Sequence, residues 1–354
     1  MSRFFSEKYN SLTPYVPGEQ PKDMRYIKLN TNESPFPPSS RALEKASEAA
    51  KRLMLYSDPE CTELVRVAAQ QLGVKTEEIL FTNGSDEALN FAFMAFCDAE
   101  HPAVFPDITY GFYPVFAELN HVPYCQIPLQ EDFTISVVDY LGVKGTIFIA
   151  NPNAPTGLAL SLDAIEQILQ SNPDNIVVID EAYVDFGGES AIPLIHQYDN
   201  LLVVQTFSKS RSMAGARLGF AVGCQELIRD LKTIQYATNP YNVNSMTMAA
   251  GIGALEDDDY FRSNCRAIMV NREWTRTALQ ELDFTVLDSF SNFLFAKHCK
   301  VLGGELYRKL KEKGVLVRHF EKPRLSDYIR ITIGSKEQME VFLEKVKEIL
   351  EENP

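Results

Sequence analysis

Short apolar runs of the length of buried strands recur through the middle of the chain, and helix-like stretches such as 162–170 separate several of them. The strand candidates are 79–82, 103–106, 124–127, 146–150, 176–180, 201–206 and 219–223. Strands that alternate with helices form βαβ units, so the pattern predicts an α/β fold with a mostly parallel sheet. Ligands of such sheets bind beyond the carboxyl ends of the strands, which directs attention to the residues that follow each run.

The chain is long enough for two domains, since single cores usually stop growing before a length of 354 residues. We predict an N-terminal arm over residues 1–38, in which six prolines block regular helix, and a large domain over 39–245. A long helical pattern over 245–275 leads out of the large domain. A small α+β domain is predicted over 246–354. Its strand candidates are 284–287, 292–296, 315–318 and 328–333, and an amphipathic helix follows at 336–351.

Net charge and cysteine spacing exclude several classes of protein. A formal net charge of −14 argues against non-specific binding to nucleic acid. The six cysteines form no Cys-x-x-Cys pair and are too widely spread for a zinc site, so we predict reduced thiols and no metal. The first residues lack an apolar signal core, and no apolar run is long enough to cross a membrane. We therefore expect a cytoplasmic protein that binds neither nucleic acid nor membrane.

Lys209 follows the 201–206 strand candidate, and Asp180 ends the 176–180 candidate 29 residues earlier. Pyridoxal-phosphate chemistry requires this pair, because a lysine amine forms a Schiff base with the cofactor aldehyde and an acid keeps the ring nitrogen protonated. An acid also ends an apolar strand in P-loop ATPases, but the chain has no Gly-x-x-x-x-Gly-Lys-Ser/Thr loop. A lone lysine is most often a solvated surface residue, so the interpretation depends on the motifs around it.

Further candidates for the same cofactor follow other strand candidates. The segment Gly84-Ser85-Asp86 opens a helix whose free backbone amides suit a phosphate, although the same residues also make an ordinary helix start. Tyr110 is placed to stack on a flat ring, and Tyr183 could reach the cofactor's phenolic oxygen. Either tyrosine could instead be a packing aromatic.

Two arginines lie on strand candidates of the predicted small domain. Arg330 stands among isoleucines, where a charged side chain is costly unless it is paired. The guanidinium forks of Arg318 and Arg330 suit a carboxylate or a phosphate, and an internal salt bridge is the alternative.

Together these segments resemble fold-type I, pyridoxal-phosphate-dependent aminotransferases, and within them the histidinol-phosphate aminotransferase branch. The resemblance covers nearly the whole chain, and the motifs stand in the same order. It includes Pro14-Tyr15-Val16-Pro17-Gly18, Leu29-Asn30-Thr31-Asn32-Glu33-Ser34-Pro35, Tyr56-Ser57-Asp58-Pro59, Gly84-Ser85-Asp86-Glu87, Asp180-Glu181-Ala182-Tyr183, Ser208-Lys209 and Ile329-Arg330-Ile331. It implies a large domain with a mostly parallel seven-stranded sheet and a smaller α+β C-terminal domain.

The resemblance also implies a role for each matching residue. Lys209 would form the internal aldimine and shuttle protons, while Asp180 pairs with the pyridinium nitrogen and Tyr183 with the phenolic oxygen. The expected cofactor-binding residues are Gly84, Ser85, Asp86, Tyr110, Asn153, Asp180, Tyr183, Ser208, Lys209 and Arg217, with Tyr56 reaching over from the other subunit of a homodimer. The expected substrate-binding residues are Tyr15, Asn32, Arg318 and Arg330.

The turn at 151–157 departs from the family pattern. The family usually has asparagine immediately before Pro-Thr-Gly, where it contacts the phenolic oxygen, but this chain has Ala154 there. Asn153 is the candidate to supply the amide instead. The loss of one neutral hydrogen bond costs about 0.5–1.5 kcal/mol, which would tune the cofactor rather than abolish catalysis.

The function implied is transamination of L-histidinol phosphate with 2-oxoglutarate to imidazole acetol phosphate and L-glutamate, a ping-pong reaction of histidine biosynthesis. Two alternatives share the fold: an aromatic amino acid aminotransferase, with Tyr15, Tyr110 and Phe112 lining a ring pocket, and a phosphothreonine decarboxylase. A non-catalytic protein that keeps the fold is a third alternative, and the near-complete set of cofactor residues argues against it.

Overall fold

The computed structural model describes residues 2–352 and divides them between two main sheets and ten α-helices. The strands are β1 (Ile27–Lys28), β2 (Ile79–Thr82), β3 (Ala103–Pro106), β4 (Tyr124–Ile127), β5 (Thr146–Ala150), β6 (Val177–Asp180), β7 (Leu201–Thr206), β8 (Gly219–Gly223), β9 (Phe284–Val286), β10 (Phe293–His298), β11 (Val315–Leu316), β12 (Arg318–His319) and β13 (Ile329–Thr332). The helices are α1 (Ser40–Ala50), α2 (Thr62–Leu72), α3 (Ser85–Phe96), α4 (Tyr113–Leu119), α5 (Leu162–Ser171), α6 (Gln225–Thr238), α7 (Ser245–Leu255), α8 (Asp258–Gln280), α9 (Gly303–Glu312) and α10 (Lys336–Glu351).

The larger sheet has seven strands in the order β2-β8-β7-β6-β5-β3-β4. All neighbours are parallel except β8, which runs antiparallel to both β2 and β7. The register places Ala150 of β5 beside Asp180 of β6, and Asp180 beside Val204 of β7. The carboxyl ends of three adjacent strands therefore meet at one edge of the sheet, where ligands of open α/β sheets bind.

The central strands are buried on both faces, which explains their nearly continuous apolar sequences. Side chains alternate between two cores as the pleat requires: Val177 and Ile179 of β6 join one cluster, and Val178 joins the other. Helices α2, α5 and α7 contribute to the first core, while α3, α4 and α6 contribute to the second. The sheet edge is thus held by packed layers on both sides.

The C-terminal part is a four-stranded antiparallel sheet in the order β12-β13-β10-β9. Helices α8, α9 and α10 pack with it into a separate hydrophobic core. The N-terminal strand β1 pairs in parallel with β11, and Leu29 is buried in the same core. The segment that follows β1 is therefore fixed against the C-terminal sheet.

The predicted α/β fold, with a mostly parallel seven-stranded sheet and a smaller C-terminal domain, is confirmed. The single helical pattern over 245–275 is wrong, because two helices, α7 and α8, cover it. Asp257 has φ −112° and ψ 57°, outside the helical region, and the acidic residues Asp258 and Asp259 begin the second helix. The exact bounds of arm and domains stay predictions.

Within the described residues, no helix has the length and apolar character needed to span a membrane. Nor do residues 2–352 contain a group of three or more His, Cys, Asp or Glu side chains that could hold a metal ion. The six cysteines are free: two are buried, two are half-buried, and Cys125 and Cys299 are exposed.

Candidate active site

A cavity of about 510 Å³, which includes space open to solvent, lies beyond the carboxyl ends of β5, β6 and β7. The fold brings eight of the predicted site residues together in its lining: Ser85, Asp86, Tyr110, Asp180, Tyr183, Ser208, Lys209 and Arg217. The rest of the lining, where the strands end, was not predicted as part of the site: Ala150, Pro152, Ala154, Ala182 and Thr206. The cavity therefore joins motifs that are more than a hundred residues apart in sequence.

Asp180 is the last residue of β6, and its carboxyl group is buried at the floor of the cavity. Burial raises the pKa of Asp180 from 3.8 to about 7, because desolvation disfavours the charged form. Two hydrogen bonds oppose this effect: the Tyr113 hydroxyl donates to Oδ2 at 3.0 Å, and the Ala182 amide donates to Oδ1 at 3.3 Å. A positively charged ring nitrogen in the cavity would restore the ionised carboxylate.

Lys209 lies on the loop after β7, with the exposed part of its side chain facing the cavity. Its Nζ donates to the backbone carbonyl of Thr31 at 3.3 Å and lies 5.8 Å from the centroid of the Tyr183 ring. Burial, aided by the positive charge of Arg330, lowers the pKa of Lys209 from 10.5 to about 8. A fraction of this amine is therefore neutral and nucleophilic near neutral pH.

A close approach of backbone forms one wall of the cavity. Gly84 precedes α3 with φ 78°, a left-handed value that favours glycine, and a Cβ there would collide with the Arg217 guanidinium. A Cβ on Gly219 of β8 would collide with the backbone of Gly84 and Ser85. This wall leaves the first amides of α3 open toward Arg217, an arrangement that suits a phosphate.

Asp86 organises the polar side chains of this wall. Its carboxylate accepts from Nη2 of Arg217 at 2.8 Å and from the Tyr110 hydroxyl at 2.6 Å. These bonds fix the guanidinium beside the helix start and fix the Tyr110 ring along the cavity. Ser208 lies on the adjacent loop, where its hydroxyl accepts from Thr206 at 2.9 Å. The donors of the wall thus match a phosphate, and the ring of Tyr110 matches a flat cofactor.

Asn32 and Tyr183 link the segment after β1 to the cavity. The amide of Asn32 donates to the Tyr183 hydroxyl at 2.8 Å, and its backbone N–H donates to Thr332 of β13 at 2.9 Å. Asn32 adopts a positive φ of 55° in this position. Tyr183 is therefore oriented by a residue that the sequence analysis assigned to substrate.

Asn153 is buried, but its side chain is directed into its own turn rather than into the cavity. Nδ2 donates to the carbonyl of Ile108 at 3.0 Å and to Thr156 at 3.1 Å, and Oδ1 accepts from Thr109 at 2.8 Å. The turn presents Ala154 to the cavity instead. The expected replacement of the family's amide by Asn153 does not match this geometry.

Arg330 has no acidic partner among the described residues, so the alternative of an internal salt bridge finds no support in residues 2–352. Its guanidinium lies 5.3 Å and 5.6 Å from the ring centroids of Phe293 and Phe320, and Nη2 donates to the Asn30 carbonyl. Nε is buried without a hydrogen-bond partner. A half-buried cation with an unused donor is suited to an anionic ligand.

Arg318 and Tyr15 connect the N-terminal segment to the mouth of the site. Arg318 stands opposite Arg330 in the β12–β13 register and donates to the carbonyls of Val16 and Pro17. The Tyr15 ring stacks on Phe112 with a centroid distance of 4.3 Å and lies 6.5 Å from Tyr110. The N-terminal segment therefore spans the opening between the two sheets.

Tyr56 is the one predicted cofactor residue that lies far out on the surface. Its side chain is 85% exposed, and its ring stacks on Tyr241 at 4.7 Å rather than on any residue of the cavity. Within one chain it does not join the site.

Comparisons with known proteins agree with this architecture. Residues 25–346 match the family model for class I and II aminotransferases. The chain is 50% identical over 352 residues to the histidinol-phosphate aminotransferase of Brachyspira hyodysenteriae, and the alignment covers 99% of each chain.

Solved structures share the fold at lower identity. The histidinol-phosphate aminotransferase of Sinorhizobium meliloti in complex with pyridoxal-5'-phosphate has a TM-score of 0.88 at 22% identity over 99% of each chain. The L-threonine-O-3-phosphate decarboxylase of Porphyromonas gingivalis has a TM-score of 0.81 at 23% identity, over 92% of this chain and 99% of the other. At these identities the likeness shows the fold alone.

Proposed function

The chain belongs to the histidinol-phosphate aminotransferase family, within the class I and II aminotransferases, and we propose that it transfers the amino group of L-histidinol phosphate to 2-oxoglutarate. The products are imidazole acetol phosphate and L-glutamate, formed in a ping-pong cycle that serves histidine biosynthesis. The observation that carries this choice of substrate is the 50% identity along 99% of the chain, since the fold alone is shared with a decarboxylase.

The residues of the cavity fit pyridoxal phosphate. The amides at the start of α3, with Arg217 and Ser208, would hold the phosphate, and the carboxylate of Asp180 would hold the ring nitrogen. Tyr110 would cover the ring face, and Tyr183 would donate to the phenolic oxygen. When bound, the cofactor supplies an aldehyde for the amino group and a ring that accepts electrons from the substrate.

In this proposal Lys209 would hold the cofactor through Nζ and, once the amino group of the substrate has replaced Nζ there, would move the proton. Its Nζ has a pKa lowered to about 8, so the amine can exist neutral at neutral pH and take a proton from the substrate α-carbon. Asp180 would remain ionised opposite the ring nitrogen and so favour electron withdrawal from that carbon. Tyr183 would restrain the phenolic oxygen, with Asn32 fixing the Tyr183 hydroxyl at 2.8 Å.

Arg330 and Arg318 would bind the phosphate of histidinol phosphate in one half-reaction and the distal carboxylate of glutamate or 2-oxoglutarate in the other. Support comes from the unused Nε of Arg330 and from the lack of an acidic partner among the described residues. Both ligands are anions of similar reach, so one cationic site can serve them in turn. Tyr15, stacked on Phe112 at the mouth, would shield the bound substrate from water.

We propose that the active unit is a homodimer with shared sites. Four consecutive apolar residues are largely exposed in one chain, which is costly unless another surface covers them. They are Leu53, Met54, Leu55 and Tyr56. A partner seated there would carry its own Tyr56 toward the phosphate end of the neighbouring cavity.

The test is a comparison of steady-state kcat/KM for L-histidinol phosphate, L-phenylalanine and O-phospho-L-threonine with the purified full chain. The kcat/KM for amino transfer from histidinol phosphate should exceed that for phenylalanine by at least about 100-fold. A pairing of the substrate phosphate with Arg330 can supply a difference of this size. A preference for phenylalanine would favour the aromatic aminotransferase. Release of CO₂ from phosphothreonine as the main reaction would favour the decarboxylase.

A further inference from the structure

Tyr113 is a fully buried tyrosine directly behind the floor of the cavity. It is the first residue of α4, and its hydroxyl donates to Oδ2 of Asp180 at 3.0 Å. Among the described residues, Tyr113 supplies the one side-chain hydrogen bond that Asp180 receives, and the other donor is the backbone amide of Ala182. No lysine or arginine forms an ion pair with Asp180 in residues 2–352.

The ring of Tyr113 is held on several sides by other aromatic rings. Tyr110, three residues earlier, meets it edge-on at a centroid distance of 5.7 Å and an interplanar angle of 87°. Phe105 and Phe148 pack against it at 5.6 Å and 5.9 Å. A ring fixed in this way holds its hydroxyl in one position. Tyr110, which lines the cavity, therefore packs against Tyr113, which donates to Asp180.

We propose that Tyr113 is a positioning residue that fixes and stabilises the ionised Asp180 carboxylate for the cofactor's ring nitrogen. The proposal rests on the proposed function only in that the chain binds pyridoxal phosphate. Each carboxylate oxygen can accept more than one hydrogen bond, so the Tyr113 bond leaves acceptor capacity on Asp180 for a group in the cavity. Tyr113 itself does not line the cavity and acts through Asp180.

The direction of the effect follows from the charges around the carboxyl group. Burial and the nearby Asp86 raise the pKa of Asp180, whereas the Tyr113 hydroxyl lowers it by stabilising the ionised form. Without that hydroxyl the buried acid would hold its proton more tightly. It would then offer a weaker acceptor to a protonated ring nitrogen, and the cofactor would bind less tightly.

The experiment is a binding cycle with full-length protein freed of cofactor. Dissociation constants of pyridoxal phosphate and of its analogue with CH in place of the ring nitrogen are measured for wild type and Tyr113→Phe. The variant should bind pyridoxal phosphate about 10- to 100-fold more weakly, as expected for a lost bond to a charged group. Its affinity for the analogue should stay within about twofold of wild type, because the analogue has no nitrogen for Asp180 to hold.

Tyr140→Phe is the matched control. Tyr140 is also a buried tyrosine of the large sheet domain, but its hydroxyl has no hydrogen-bond partner among the described residues. It should leave both affinities unchanged. In an Asp180→Asn background, Tyr113→Phe should likewise change pyridoxal phosphate binding by less than about twofold.

Equal weakening of both ligands by Tyr113→Phe would assign the residue a packing role and overturn the proposal, and so would no change in either. If Tyr113→Phe fails to fold, 3-fluorotyrosine at position 113 keeps the ring and donates more strongly. It should tighten binding of pyridoxal phosphate alone, and an unchanged affinity would count against the proposal. All of these outcomes are independent of which amino donor wild type prefers.

Discussion

Individual ionisable residues of the cavity carry protonation states unlike those of exposed groups. The Asp180 pKa is raised to about 7 and the Lys209 pKa is lowered to about 8, each mainly by burial. Sequence could identify both residues because they end or follow apolar strands. It could not identify Tyr113, because the contact with Asp180 joins positions that are 67 residues apart. A tyrosine that stands beside phenylalanines in the sequence is also expected to be a core packing residue.

The lowered pKa of Lys209 makes a pH prediction. Below about pH 8 the amine is mostly protonated and cannot attack an aldehyde, and above it the neutral amine dominates. The rate at which cofactor-free protein gains the visible absorbance of lysine-bound pyridoxal phosphate should therefore rise with pH and level off above about 8. A midpoint near 10.5, the ordinary value, would contradict the effect of burial.

The same measurement on Arg330→Gln provides a check on the cause. Arg330 is the second contributor to the lowered pKa of Lys209, after burial. Removing its positive charge should move the midpoint of the rate profile upward. Lys209→Ala should show no such absorbance at any pH.

Arg330 also makes a prediction about substrate binding. Arg330→Gln removes the cation whose Nε has no partner among the described residues, so kcat/KM for histidinol phosphate should fall at least about tenfold. Arg308→Gln is the control, because Arg308 lies exposed on α9 and pairs with Glu312. An equal loss in both variants, measured by steady-state kinetics, would show that Arg330 has no specific role.

At the scale of elements, the apolar runs predicted the central strands of the large sheet well, because a strand buried on both faces consists almost entirely of apolar residues. The single strand predicted at 315–318 is wrong, because β11 pairs with β1 there and β12 pairs with β13. The break between α7 and α8 escaped prediction because α7 is apolar on nearly all sides and so has no helical period whose end would mark Glu256 and Asp257 as a boundary. Tertiary packing determines where the helices separate, because α7 joins the core of the large sheet, whereas α8 joins the C-terminal core.

The close approach of β8 to the start of α3 yields a prediction at this scale. Gly219→Ala would push a Cβ into the backbone of Gly84 and Ser85, and such overpacking costs about 1–3 kcal/mol. The free energy of unfolding and the affinity for pyridoxal phosphate should both fall, because the same contact joins β8 to the cavity wall at the start of α3. Gly215→Ala is the control, with no atom near its added Cβ. Denaturant titration measures the stability of the two variants. Equal stability would contradict the predicted collision at position 219.

For the whole molecule, the chain order of the motifs implied one site, and the fold brings eight of the expected residues to one cavity. The sequence pattern could not decide whether two of the expected residues, Asn153 and Tyr56, reach the cavity. The side chain of Asn153 turns into its own loop, a matter of local hydrogen bonds. Tyr56 lies outside the cavity of its own chain, so its role depends on a second copy.

A shared site predicts recovery of activity in hybrid dimers. Lys209→Ala and Tyr56→Ala should each be impaired alone, and unfolding and refolding them together should form hybrids in which one site keeps both native residues. Random pairing would restore about a quarter of the sites. Activity of the mixture above the mean of the two separate variants would support the shared dimer, and activity at that mean would contradict it.

The most direct test of the central claim is the visible absorption spectrum of the purified holoenzyme, followed through each half-reaction in turn. Adding L-histidinol phosphate should bleach the absorbance of lysine-bound pyridoxal phosphate, and adding 2-oxoglutarate should restore it. Lys209→Ala should lack the starting absorbance. Absorbance that ignores histidinol phosphate but bleaches with L-phenylalanine would keep the aminotransferase and contradict the proposed substrate.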